Sequence, residues 1–82
     1  MTRKEKLLEK LRTKSRGFTW DEAVTLMHQC NFTLLKTTGS RRVFRHASGA
    51  KVFIHEPHPQ NILLPYAMDD LIEGLKATGE IS

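Results

Sequence analysis

FTLLKTTGSRRVFRHASGAKVFIH, residues 32–55 of an 82-residue chain, contains three short runs of β-branched, aromatic and long side chains separated by two clusters of small polar residues. Phe32 to Lys36 reads as a first strand, Arg42 to His46 as a second and Lys51 to Ile54 as a third. Thr37-Thr38-Gly39-Ser40 forms the first turn and Ala47-Ser48-Gly49-Ala50 carries hairpin chemistry. Strands joined by reversals this tight make an antiparallel meander, because a parallel pair needs a long crossover. Val43 alternates against Arg42 and Phe44, and the rings of Phe44 and Phe53, which could stack on bases, are assigned to the core, where aromatics on a small sheet are more often found.

Upstream, Thr19-Trp20-Asp21-Glu22 is a capping box, with Glu22 three residues after the cap and acidic groups in the first turn. The helix it opens runs to Gln29 or Cys30. Trp20, Ala23, Val24, Met27 and Cys30 recur at helical spacing and face the core, which leaves His28 and Gln29 to solvent. Further upstream, Thr2 to Lys14 is composed of good helix formers with Thr2 as cap, and Leu7, Leu8 and Leu11 make a narrow apolar stripe. Ser15, Arg16 and Gly17 end it. Downstream, His55 to Asn61 is a loop stiffened by Pro57 and Pro59. Pro65 to Ala77 is amphipathic through Ala67, Met68, Leu71, Ile72 and Leu75, and Gly79 stands at the C-terminal cap.

The resulting expectation is an α+β fold. A three-stranded antiparallel sheet lies within an α-β-β-β-α unit resembling a double-stranded-RNA-binding domain (dsRBD-like), with an extra N-terminal helix in front. Residues 1–16 form the basic helix and 17–82 the domain. Both helices of the unit cover one sheet face, and the other face is left for a ligand.

A chain this short makes one domain near the lower limit for a self-sufficient core, so any chemistry takes place on an open face. Its single cysteine, Cys30, has no internal disulfide partner and reads as a small core residue. The N-terminus lacks the apolar core of a signal peptide, and no run approaches a membrane span, so the expected compartment is the cytoplasm, with no membrane partner. Charge is segregated. Residues 1–16 carry seven basic and two acidic groups, residues 36–51 five basic and none acidic, and residues 52–82 one basic and five acidic. The basic side attracts phosphates.

Lys36, Arg41, Arg42, Arg45 and Lys51 supply that positive field, and His46, His55 and His58 follow closely. Imidazole is the side chain suited to proton transfer near neutral pH. A basic strand pair delivering imidazoles points to RNA. His46, ahead of a turn, is expected in solvent. The His55-x-x-His58 pair lies on a Pro-rich loop with no Cys or third His obvious nearby, which argues against a metal, and no cofactor is expected.

The ordered set of features resembles the HicA family of small toxins. It comprises Phe32 opening the first strand, Gly39-Ser40 between the first two strands, Phe44 in the second, the segment ending at His58, and the last helix closing with Thr78-Gly79-Glu80-Ile81. The stretch Phe18-Thr19-Trp20-Asp21-Glu22 is similar to a subgroup with an extra N-terminal helix. The resemblance implies a toxin that cleaves mRNA and is neutralised by a HicB-type antitoxin. In most of the family a catalytic histidine follows Gly-Ser, whereas this chain has Arg41, whose guanidinium keeps its proton at physiological pH.

Metal-independent cleavage of RNA needs a base for the 2′-hydroxyl, an acid for the leaving oxygen and cations for charge developing on phosphorus. His58, which matches the family's second histidine position, is the first candidate for acid or base and His55 the second. Arg41 and Arg42 would hold the scissile phosphate, Ser40 would add a contact, and Lys36, Arg45 and Lys51 would hold flanking phosphates. Two other readings stay open: a non-catalytic RNA-binding module of the same fold, favoured by Arg41, and a protein-interaction module whose basic face meets an acidic partner.

Overall fold

The computed structural model describes residues 2–57 and 60–81, and its elements follow the sequence reading to within a residue or two. Helix α1 spans Arg3–Arg12, helix α2 Trp20–Gln29, strand β1 Phe32–Lys36, strand β2 Arg41–His46, strand β3 Lys51–His55 and helix α3 Pro65–Ala77. The sheet is antiparallel in the order β1-β2-β3. Strand β2 starts one residue earlier than expected because Arg41 already pairs with His55 of β3, while its amide closes the turn on Thr38 O at 3.2 Å. Gly39 at φ +62° and Gly49 at φ +98° make the two reversals, both in the left-handed region.

Local chemistry sets the helix ends. Thr19 Oγ1 accepts from the Glu22 amide at 3.1 Å while Glu22 Oε1 accepts from the Thr19 amide at 3.1 Å, the reciprocal capping box expected from sequence. After α2, Asn31 takes φ +67°, a conformation that Asn tolerates better than most residues, and turns the chain into β1. Helix α3 ends in a Schellman motif. Gly79, at φ +77°, donates to Lys76 O at 3.1 Å, and Glu80 donates to Leu75 O at 2.9 Å.

Alternation along the strands separates the two sheet faces. Phe32, Phe44, Val52 and Ile54 are buried beneath α2 and α3 with Trp20, Leu26, Met27 and Leu71. Leu26 joins this core although the sequence reading did not single it out, and Val24 is only half-buried. Helix α1 docks on α2 and α3 through Leu7 and Leu11 and through two ion pairs, Lys10–Glu22 at 2.6 Å and Lys14–Asp69 at 2.7 Å. Phe53 corrects an expectation. It lies on the opposite face from Val52 and Ile54 and is 63% exposed, because residues two apart on a strand share a face and its neighbours are the buried ones.

His46 corrects another. Parity with Phe44 turns it inward, where it is buried and its ring lies 4.8 Å from that of Phe32. The Ser48 amide donates to Nδ1 at 3.1 Å. Nδ1 must therefore accept, so Nε2 carries the proton and donates to Glu80 Oε2 at 2.8 Å. Asn31 Nδ2 also donates to Glu80 Oε2, at 3.2 Å. The residues after α3 are thereby fastened to the end of the sheet. Among the described residues, no helix is long and apolar enough to cross a membrane.

Two stability predictions follow from this packing. A Cβ at Gly74 would collide with Val52 Cγ2, a side chain stiff at χ1. Gly74→Ala is expected to lower stability by about 1–2 kcal/mol despite removing a glycine from a helix. Thermal denaturation of Gly74→Ala in a Val52→Ala background should show that cost abolished. The hydrogen bond from His46, and after it that from Asn31, holds the Glu80 carboxyl below the usual carboxylate range. Its stabilising contribution is present above the unfolded-state pKa of about 4.3 and is lost as pH falls through the depressed folded value. Glu80→Gln should be less stable than the parent at pH 7 by about 1 kcal/mol in urea denaturation, with the difference closing in strong acid.

Candidate functional site

The sheet face turned away from the helices collects much of the basic segment. Thr33 and Leu35 lie on it from β1, Arg41, Val43 and Arg45 from β2, and Lys51, Phe53 and His55 from β3. All except Val43 are exposed. The β2–β3 register pairs Arg41 with His55, Val43 with Phe53 and Arg45 with Lys51. Directly opposed side chains on one face have Cβ atoms roughly 4.5–5.5 Å apart, so the Arg41 and His55 side chains leave the sheet side by side. Arg45 and Lys51 form a like-charge cross-strand pair, unfavourable by itself and relieved when an anion lies between them. The two rungs are four residues apart, a separation of about 13 Å.

At the Arg41 end the surface is concave. A hollow of about 290 Å³ is lined by Thr37, Thr38, Arg41, Val43, Phe53 and His55, among others. A second, of about 370 Å³, has His55, Pro57, Gln60 and Tyr66 in its wall. His55 borders both, and its ring makes no hydrogen bond to another described residue, so it is available to a ligand on either side.

Arg42 has a different setting from Arg41. It shares the inward parity of Phe44 and its side chain is 14% exposed. Its Nε donates to Glu56 Oε1 at 3.1 Å, and its Nη1 donates to Gly39 O at 2.7 Å and Arg41 O at 2.8 Å. The Glu56 amide donates to Ser40 O at 2.8 Å. Arg42 and Ser40 therefore tie the first turn to the segment that leaves β3, and Thr37 Oγ1 adds a bond to Arg41 O at 2.9 Å. The turn that presents Arg41 is held from several directions before any ligand arrives. Downstream, Trp20 N donates to Asn61 O and Leu63 N to Phe18 O, both at 2.9 Å, which fixes where the loop rejoins the body.

Arg41, Arg45, Lys51 and His55 are thus brought together on one face. Lys36, the register partner of Arg42, is exposed at the strand end but belongs by parity to the other side. Ser40 lies in the turn. His58 falls outside the described residues. Among the described residues no three His, Cys, Asp or Glu side chains converge in a way that would hold a metal ion. The sequence reading passed over the Arg42–Glu56 pair and the outward turn of Phe53. Counting parity from Phe44, through Arg42 on its own strand and its neighbour Val52 on β3, would have found both.

A family model described as the HicA toxin of bacterial toxin–antitoxin systems matches residues 20–79. No curated protein and no solved structure matches the chain significantly.

Proposed function

Because the chain belongs to the HicA toxin family of bacterial toxin–antitoxin systems, we propose that it acts on mRNA in the cytoplasm as a metal-independent endoribonuclease and is neutralised by a HicB-type antitoxin protein. The observation that carries this reading is the pairing of Arg41 with His55 across β2 and β3, beside a hollow of about 290 Å³ on a face crowded with cations.

The chemistry can be written for these residues. One imidazole takes the proton from a 2′-hydroxyl, and the 2′-oxygen attacks the adjacent phosphorus. The bond to the 5′-oxygen breaks, and a second imidazole, protonated beforehand, gives its proton to that oxygen, leaving a 2′,3′-cyclic phosphate and a free 5′-hydroxyl. Arg41 cannot be the base. Its role is to hold the phosphate and stabilise charge on the equatorial oxygens, where a planar guanidinium binds in bidentate fashion. His55 and His58 are assigned the proton transfers, and the fastening of Glu56 to the first turn supports a loop that starts close to Arg41. Arg45 and Lys51 hold phosphates further along. Arg42 acts as a positioning residue that shapes the turn, and Lys36 and Ser40 sit at the margin of the bound strand.

A second reading is an RNA-binding module without cleavage. It is favoured by Arg41 at the position where the family's pattern has a histidine.

Purified protein incubated with labelled RNA in EDTA separates the two. The first reading predicts fragments ending in a cyclic phosphate, with the rate reduced about 100-fold or more in His55→Ala or His58→Ala. Intact RNA under conditions where binding is demonstrated would establish the second. Under both, affinity should fall steeply between about 50 and 200 mM salt, and Arg45→Ala should flatten that dependence.

A further inference from the structure

Phe53 is the largest apolar side chain on the open face. At 63% exposure its ring gains little from burial, and it stands between cations. Two residues to one side along the pleat is the Arg41–His55 rung, and two residues to the other is the Arg45–Lys51 rung. Each is roughly 7 Å away. Its own cross-strand partner, Val43, is 7% exposed, so the ring rises from a covered surface. The side chain borders two hollows. One also has Arg41 and His55 in its wall, and the other has Lys51 with Asp70 and Glu73 of α3. Those two carboxylates repel phosphate beyond the β3 edge. A polyanion crossing the face is therefore held toward β2, within reach of Phe53 on the neighbouring strand.

We propose that Phe53 is a stacking platform for one unpaired base of single-stranded RNA, with phosphates further along the strand in both directions held by the two cationic rungs. The inference rests on the RNA reading given above and adds to it the residue that seats a base of the strand. A base inside a duplex already has both faces stacked and cannot reach the ring, whereas an unpaired base can splay onto it. Stacking tolerates any base, because each has a π-face, so Phe53 supplies affinity and register along the strand and not a sequence preference. Phe53 is a positioning residue here and takes no proton.

Fluorescence anisotropy with a labelled 2′-O-methyl oligonucleotide, which lacks the attacking hydroxyl and stays intact, tests this directly. Phe53→Ala and Phe53→Leu should each weaken binding roughly 5- to 100-fold, and Phe53→Trp should bind as well as the parent or better. Affinity for a duplex of the same sequence should not change in any variant. Thermal melts matching the parent would show that each variant is folded, and Phe53→Leu preserves an apolar side chain if Phe53→Ala does not fold. Parent-like affinity of Phe53→Leu for the single strand would overturn the proposal while leaving the RNA reading intact. A loss of affinity for the antitoxin alone would also overturn it and assign the ring to the protein partner. Absence of salt-sensitive oligonucleotide binding by the parent would remove the RNA reading itself.

Discussion

The register of β2 against β3 is the constraint on which the site depends. A slip of one residue would send Val52 and Ile54 into solvent and drive Lys51, Phe53 and His55 under the helices, since side chains alternate with a period of two. Burying Val52 and Ile54 against α3 opposes that slip from one side, and desolvating the Lys51 ammonium opposes it from the other. The Gly49 reversal fixes the hairpin length between them. With the register fixed, Arg41 has no freedom about its neighbour, and His55 faces it. The cluster on the open face is thus a consequence of apolar burial on the hidden one.

Residues of the same type are put to opposite uses by this alternation. Arg41 and Arg42 are consecutive, yet the first projects freely while the second is spent on Glu56 and two carbonyls. His46 and His55 divide in the same way. The buried ring is committed at both nitrogens, to Ser48 and Glu80, whereas the exposed one borders two hollows. A group already satisfied inside the protein has little to offer a substrate. The structural residues hold the turn and the chain end that surround the free ones.

Much of this architecture was legible in the sequence because its signals are local. The Thr19–Glu22 box, the glycine reversals at Gly39 and Gly49, Pro65 at a helix start and Gly79 at a helix end each act within a few residues. What escaped depends on which face a residue takes or on distant partners. Residue type alone sends Phe53 to the core, because aromatic residues usually go there, and parity with the buried Val52 and Ile54 on either side turns it outward. His46 looked solvated because its partner, Glu80, is 34 residues away. Gly74 inside an otherwise good helix had no local reason, and the reason is the close approach of α3 to Val52. Arg41 and His55 were both marked from sequence, but nothing short of the register shows that they face each other.

The thiol of Cys30 sits wholly inside the core, between the end of α2 and the sheet, and burial pushes its pKa up. Thiolate is the form that reacts, and here it is disfavoured by its surroundings as well as shielded from reagents. In a chain with one cysteine, alkylation can therefore occur only on molecules that have opened enough to admit water to the interior. Cys30 is a natural clock for opening of this toxin, readable by mass, and one that a ligand on the sheet's outer face would slow by favouring the closed form.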